Sequence, residues 1–248
     1  MSTVYNQSLF LFHRDLRIVD NVGLEKALNS STVVIPCFIF DTRQIDNNSY
    51  KSDNAIQFML ASLKELDKAL KNKGSQLYLF HGKSDEVIAT LIQQCSLGAV
   101  FSNKDYTPFS KVRDDAIERV CKKSAVAFEQ TEDALLLSPS LFAKKDGTPY
   151  SIFTPFWRAG QQVAVPAPSA SKRHNYYTFP ISGQIEDMDT CLAFVHNEKI
   201  ALQGGRSEAQ DILKNIAKFD DYAETRNTPA LSTTMLSAHL KFGTVSVR

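Results

Sequence analysis

The chain has 248 residues, 43% apolar and 22% charged, with a formal net charge of +1. This describes an ordinary soluble globular protein with room for one large domain and part of another, and it excludes a global field that would draw in nucleic acid or an acidic membrane. No run approaches ~18 apolar residues and no basic segment precedes an apolar core, so neither a membrane span nor a signal peptide is expected and the compartment is expected to be intracellular.

The first apolar run, residues 9–12, breaks abruptly into His13, Arg14, Asp15 and Arg17. That pattern predicts a buried strand whose carboxyl end delivers charges to a crevice, where open α/β sheets hold ligands. Asp20 and Asn21 are placed to cap a helix through Leu28. Residues 32–40 form a second apolar strand ending in Asp41, and Pro36 within it predicts a bulge or an edge position. From Ser52 and Asp53 the residues Ile56, Phe58, Met59, Leu63, Leu66 and Leu70 recur at helical spacing until Gly74. The alternation continues with a strand at 76–81, a helix at 84–94, a strand at 99–102, a helix at 109–123 and a fifth strand at 125–128. Strands and helices alternating at these lengths predict a parallel sheet covered on both faces.

From residue 133 to 202 the period is lost, and Pro139, Pro149, Pro155, Pro166, Pro168 and Pro180 punctuate a long inter-domain connector. Helical spacing returns at 207–219, after Gly204 and Gly205, and again from Ser237. The four cysteines have neither Cys-x-x-Cys spacing nor histidines at metal-ligand distance, so no metal site is assigned. Cys37 and Cys95 lie in apolar runs and read as small core hydrophobes.

The motif at 13–16 opens like a protein-kinase catalytic loop and then fails, because Asp20 stands where the metal-binding Asn belongs and only twelve residues precede it. No Gly-x-Gly-x-x-Gly or Walker loop follows the first strand, so a crevice ligand would be held without a glycine-rich phosphate turn. The serines lack a nucleophile elbow and the histidines are scattered, so no catalytic residue is assigned. Residues 103–114 would face the same crevice as the first loop, or serve only to cap a helix and pack Tyr106.

Together, segments 12–21 (FHRDLRIVDN), 35–41 (IPCFIFD), 103–108 (NKDYTP) with Arg113 and Asp114, and 150–157 (YSIFTPFW) resemble the photolyase and cryptochrome family. The match continues through Gly204 and Gly205, 222–226 (YAETR) and 233–243 (TTMLSAHLKFG), in order along nearly the whole chain. Members are two-domain flavoproteins that repair pyrimidine dimers or sense blue light.

The resemblance implies a Rossmann-like α/β antenna domain over residues 1–130, a connector over 131–203 and the beginning of an all-helical FAD-binding domain over 204–248. In the family, light excites reduced FAD, which passes an electron to a pyrimidine dimer flipped out of the duplex; the dimer splits and the electron returns. By the same resemblance, Tyr222, Thr233, Thr234, Met235, Leu236 and Ser237 contact FAD, and hydroxyls with free backbone N–H groups at a helix start suit its phosphates. Arg226 falls on the DNA-facing side. Arg14, Phe38 and Asp105 frame the antenna chromophore. Phe109 and Ser110 stand where folate-binding members carry an Asn-Glu pair, which implies a deazaflavin or a flavin there rather than folate.

Members continue for roughly another 200 residues, about a domain's worth of chain, with further flavin contacts, the DNA groove and electron-relay tryptophans; Trp157 is the only tryptophan here. The implied protein is a truncated or split deoxyribodipyrimidine photolyase acting on damaged DNA. It is expected to be inactive without its helical half, which a second polypeptide would supply by docking on apolar helix faces beyond Ser207. A cryptochrome-like photoreceptor fragment and a non-catalytic nucleotide- or chromophore-binding module are the alternatives.

Overall fold

The computed structural model describes residues 4–46, 48–138, 141, 144 and 146–248; Pro139 of the predicted connector lies outside them. In chain order the first elements are β1 (Tyr5–Phe12), α1 (Val22–Ser30), β2 (Ser31–Asp41), α2 (Thr42–Ile45), α3 (Asp53–Lys71), β3 (Tyr78–Gly82) and α4 (Ser84–Cys95). They are followed by β4 (Ala99–Asn103), α5 (Pro108–Lys123), β5 (Ala127–Thr131) and α6 (Phe153–Gly160). The last are α7 (Arg206–Lys214), a 3-10 turn (Ile216–Phe219), α8 (Tyr222–Thr225) and α9 (Leu236–Phe242).

The strands form one sheet in the order β3-β2-β1-β4-β5, with each neighbouring pair parallel. This is the predicted α/β architecture. Alternate residues of each strand feed the two faces. Phe10, Phe12, Val34 and Phe101 pack under α1 and α3 with Leu24, Leu28, Leu63 and Leu66, whereas Leu9, Leu11, Ile35 and Val100 pack under α4 and α5 with Ile88, Leu91 and Ile117. A strand covered on both sides needs no polar face, which is why 9–12 is uninterruptedly apolar. Because the strand order reverses at central β1, the loops after β1 and β4 diverge and open a crevice between them.

Pro36 corrects the expectation of a bulge or an edge. It pairs in register with Phe10 on an interior strand. Val34 directs its N–H and C=O away from β1, to Asn175 and Tyr177, and the two-residue period points Pro36 the same way. The ladder with β3 begins only at Cys37, so the missing N–H falls in the gap between the two sets of bonds. The fifth strand lies later than predicted, because Ala125 adopts φ 54 to close α5, and Val126 donates its N–H to Cys121.

The predicted connector is not detached from the sheet. Tyr176 forms a parallel bridge with Val34, Ile185 donates its N–H to the Leu79 carbonyl, and Tyr176 and Ile181 are buried. The helix expected over 207–219 breaks after Lys214 into the 3-10 turn. The helix expected from Ser237 lasts seven residues and ends at Gly243, with φ 65. Gly204 meets α3 so closely that a Cβ would overlap the Phe58 backbone, and the Gly205 N–H donates to Ser62 Oγ at 3.0 Å. Among the described residues no helix is long and apolar enough to cross a membrane.

Candidate cofactor site

The charges that follow β1 divide. Asp15 and Arg17 turn inward and are each 3% exposed, whereas Arg14 stays at the surface and His13 lines the crevice. Asp15 accepts the His13 backbone N–H at 2.7 Å and Asn103 Nδ2 at 2.6 Å, which joins the ends of β1 and β4 across the switch point. Asn21 Oδ1 caps α1 by accepting the Leu24 N–H. Arg17 pairs with Asp133 at 2.6 Å and donates to the carbonyls of Asp20 and Gly243. The solvated loop of weak ion pairs that a lone charged motif suggests is therefore replaced by a buried polar clamp.

Two adjoining hollows of about 210 and 360 Å³ occupy the crevice and share His13, Arg14, Asp105 and Lys241 in their walls. The second alone falls within the range of small-molecule sites. All three residues predicted to frame an antenna chromophore line the first hollow: Phe38 in an apolar wall with Ile39, Ile56, Met59 and Phe242, and Arg14 paired with Asp105 at 3.3 Å. Burial would raise the Asp105 carboxyl, but Ser110 Oγ, Arg14 and the Thr107 N–H outweigh it and hold the group below its ordinary range. Ser110, noted in the sequence for what it replaces, is thus the orienter of Asp105. Asp41 is treated alike: burial would raise it, but donors from Arg43 and Ser84 bring it down to about 2.

Both carboxylates facing the hollow are therefore already matched. His13 differs: its two ring nitrogens are enclosed, and neither makes a well-aligned hydrogen bond among the described residues. Burial, then Arg113 and Arg14, push its pKa well below the ordinary histidine value, while the Asn103 backbone carbonyl acts weakly in the other direction. Arg113 donates from Nε to Asp114 Oδ1 at 2.8 Å, and its Nη2 lies 2.7 Å from the same oxygen. Sequence reasoning turned His13 and the segment carrying Arg113 toward the crevice without naming either as a chromophore contact, and it did not assign Lys241 or Phe242. The position of His13 directly after the central strand was a usable signal; nothing local marked Lys241.

The residues predicted for FAD lie elsewhere. Tyr222 heads the single turn of α8 and is 46% exposed, with Arg226 exposed just beyond it. Thr233 and Thr234 are half-buried; Met235 adopts φ 55 ahead of α9, Leu236 donates its N–H to Thr234 Oγ1 at 3.5 Å, and Ser237 is exposed. The Met235 side chain at the N-cap makes no capping bond to α9. The predicted FAD segment thus sits at one end of α9, while Lys241 and Phe242 at its other end line the first hollow.

The family model for DNA photolyase matches residues 8–172. The chain belongs to the DNA photolyase family. It is 30% identical to a deoxyribodipyrimidine photo-lyase of Synechococcus sp., over 97% of this chain and 52% of that protein. Among solved structures, an archaeal photolyase from Sulfolobus tokodaii, described with two FAD molecules and a novel light-harvesting cofactor, shares 37% identity at a TM-score of 0.84. The alignment covers 97% of this chain and 53% of the archaeal one, so the chain spans about half the length of these photolyases. A further relative, an uncharacterized 31.6 kDa protein of another Synechococcus strain, is 27% identical over 98% of this chain and 87% of its own length.

Proposed function

We propose that the chain is the antenna half of a DNA photolyase: its crevice takes a flavin-type light-harvesting chromophore, and Tyr222 with Thr233, Thr234, Met235, Leu236 and Ser237 contributes to an FAD site. The observation that carries this reading is the crevice itself, two adjoining hollows at the β1–β4 switch point, with Phe38, Ile56, Met59 and Phe242 in one wall and the Arg14–Asp105 pair shared between them. The residues present fit a flavin. Phe38 and Phe242 offer apolar walls, Arg14 is held by Asp105 for a polar edge, and Lys241 at the rim makes no ion pair among the described residues. The two FAD molecules of the archaeal relative support the same reading.

When bound and reduced, FAD supplies the light-driven electron that splits a pyrimidine dimer in DNA. The residues of this chain bind and orient: the crevice excludes water from the chromophore, and α9 spans the two cofactor positions. The half-length match to photolyases and the exposed Tyr222, Met235 and Leu240 support dependence on further helical structure, in the same chain or a second one, for repair. Arg226, exposed beside α8, is assigned to the DNA-facing side.

Reconstitution tests both parts. Mixed separately with FMN, a deazaflavin and a folate, the chain should retain a flavin-type chromophore, read by absorbance and fluorescence after gel filtration; retention of folate alone would overturn the assignment. With reduced FAD and light, the chain by itself should leave a dimer-bearing oligonucleotide unrepaired, and repair should appear when the helical region of a photolyase is added. Repair by the chain alone would overturn the dependence. Chromophore binding with no repair even after addition would favour a photoreceptor or a binding module.

A further inference from the structure

His239, in the middle of α9, is fully buried and uses only part of its ring. Its Nδ1 lies 2.9 Å from Thr244 Oγ1, whose hydroxyl donates to the His239 carbonyl at 3.4 Å. With that hydrogen spent, the hydroxyl oxygen accepts from Nδ1–H and the lone pair sits on Nε2. Nε2 is enclosed and makes no well-aligned hydrogen bond among the described residues, and the Phe58 ring of α3 lies 5.0 Å from the imidazole. The ring is thus the joint between α3, α9 and the turn at Gly243, where the Thr244 N–H also returns to the His239 carbonyl at 3.1 Å.

The surroundings offer a proton on Nε2 little support. From α3, Glu65 favours a charged ring, but its oxygens already accept from the Ser207 N–H and hydroxyl. From α7, Arg206 donates to the Thr244 carbonyl at 2.9 Å. The first loop brings Arg17, which donates to the Gly243 carbonyl at 3.2 Å, and Asp15 beside Gly243, while α9 itself carries Lys241. Burial outweighs Glu65 and holds the ring below the ordinary histidine value.

We propose that His239 is an acid-sensitive latch: neutral, it fastens residues 233–244 to α3, and a proton on Nε2 releases them. In the released segment the imidazole titrates near its ordinary value of about 6.5, and in the latched one lower, so docking is complete above that pH and weakens as pH falls. The segment carries Thr233, Thr234 and Ser237 at one end and the crevice residues Lys241 and Phe242 at the other, so release loosens both proposed cofactor positions. That consequence rests on the function proposed above. The latch itself rests on the packing, and measured without cofactor the two fail separately.

Hydrogen–deuterium exchange of the whole chain at pH 7.5 and 5.5, expressed as protection factors, tests the latch. Peptides within 233–244 should lose protection about tenfold, the limit for one histidine a pH unit below its ordinary value. His239→Gln, which keeps a donor for Thr244 and does not titrate, should hold one level of protection at both pH values. That comparison separates His239 from His13 and Asp15, whose ionisation also differs between folded and unfolded chain. By NMR, the His239 ring of the wild type should titrate in step with the loss of protection, with a midpoint below 6.5. Unchanged protection in the wild type, or a ring that titrates at or above 6.5 while the segment stays protected, overturns the latch with no variant needed. A loss of protection that persists in a folded His239→Gln overturns the assignment to His239.

Discussion

Asp15 just past β1 and Asp41 at the end of β2 lie at the same edge of the sheet, yet they drive stability in opposite directions with pH. Burial is the largest influence on Asp15 and raises its pKa from 3.8 to about 6, despite bonds from the His13 N–H and Asn103. The folded state then binds the proton more tightly than the unfolded one. Its contribution is fully present below the unfolded pKa and is lost as pH rises through the folded one, by about 3 kcal/mol for this shift. For Asp41, at about 2, the contribution is present above 3.8 and is lost as pH falls toward 2, by roughly 2 kcal/mol. Asp15→Asn should therefore gain stability relative to the wild type as pH rises from about 4 to 6 in urea unfolding, a difference in which the opposing contribution of His13, whose pKa burial lowers, cancels. Asp41→Asn should lower stability most at neutral pH. The sequence marked both carboxylates as strand-end charges. Their opposite fates depend on donors from Arg43 and Ser84 in one case and on enclosure near Asp133 in the other; Arg43 lies two residues from Asp41, but Ser84 and Asp133 are brought in by tertiary packing.

Among the elements, α9 matters out of proportion to its seven residues. The Phe242 carbonyl accepts the Leu16 N–H at 3.1 Å, the Gly243 carbonyl accepts from Arg17 at 3.2 Å, and the Phe58 ring lies 5.0 Å from His239 and 5.1 Å from Phe242. At Gly243 the chain passes the backbone of Arg14 and Asp15 with φ 65, and a Cβ would overlap both. Gly243→Ala should therefore destabilise the protein by about 2 kcal/mol or more, seen as a lower Tm. Because Phe242 and Lys241 also line the crevice, flavin affinity should fall in the same variant. Gly74, which ends α3 with φ 80 and opens onto free space, is the control. Helix-period and strand-period patterning located β1, β2 and α3 correctly, because each buries a continuous face. They did not foresee that the Ser237 helix would be so short. Its length is decided by Gly243 meeting the first loop, a contact between residues 226 positions apart in the case of Arg17 and Gly243.

Across the whole molecule, the C-terminal segment is tied to the sheet by buried charge. Arg248 pairs with Asp20 at 3.1 Å and Asp133 at 2.9 Å, and Asp133 also holds Arg17, with every member at most 6% exposed. Such pairs add little against an apolar alternative, but removing one member leaves a buried charge uncompensated. Arg17→Met should cost about 3 kcal/mol in urea unfolding, while Arg17→Met combined with Asp133→Leu should cost less than the sum of the two single changes. A second whole-molecule feature is the apolar hollow of Leu135, Leu136, Leu137, Phe156, Trp157 and Val165, in which Phe156 and Trp157 are 39% and 50% exposed. The apolar faces expected beyond Ser207 are matched by exposed Leu213, Ile216 and Leu231.

The sequence by itself determined the α/β class, the parallel alternation and the family, because strand and helix periods are local and the motif segments keep their order along the chain. It also marked the loop after β1 as one wall of a crevice, since a fully apolar strand must shed its charges at its end. Only the tertiary structure decided which of those charges face the crevice and which turn inward. Arg17 and Asp15 are drawn inward by Asp133, Asn103 and Gly243, partners supplied by β4, by the segment after β5 and by the end of α9. Arg14 is left at the crevice wall, paired with Asp105. Burial and pairing are set by which distant segments pack together, and that is the information a linear pattern does not carry.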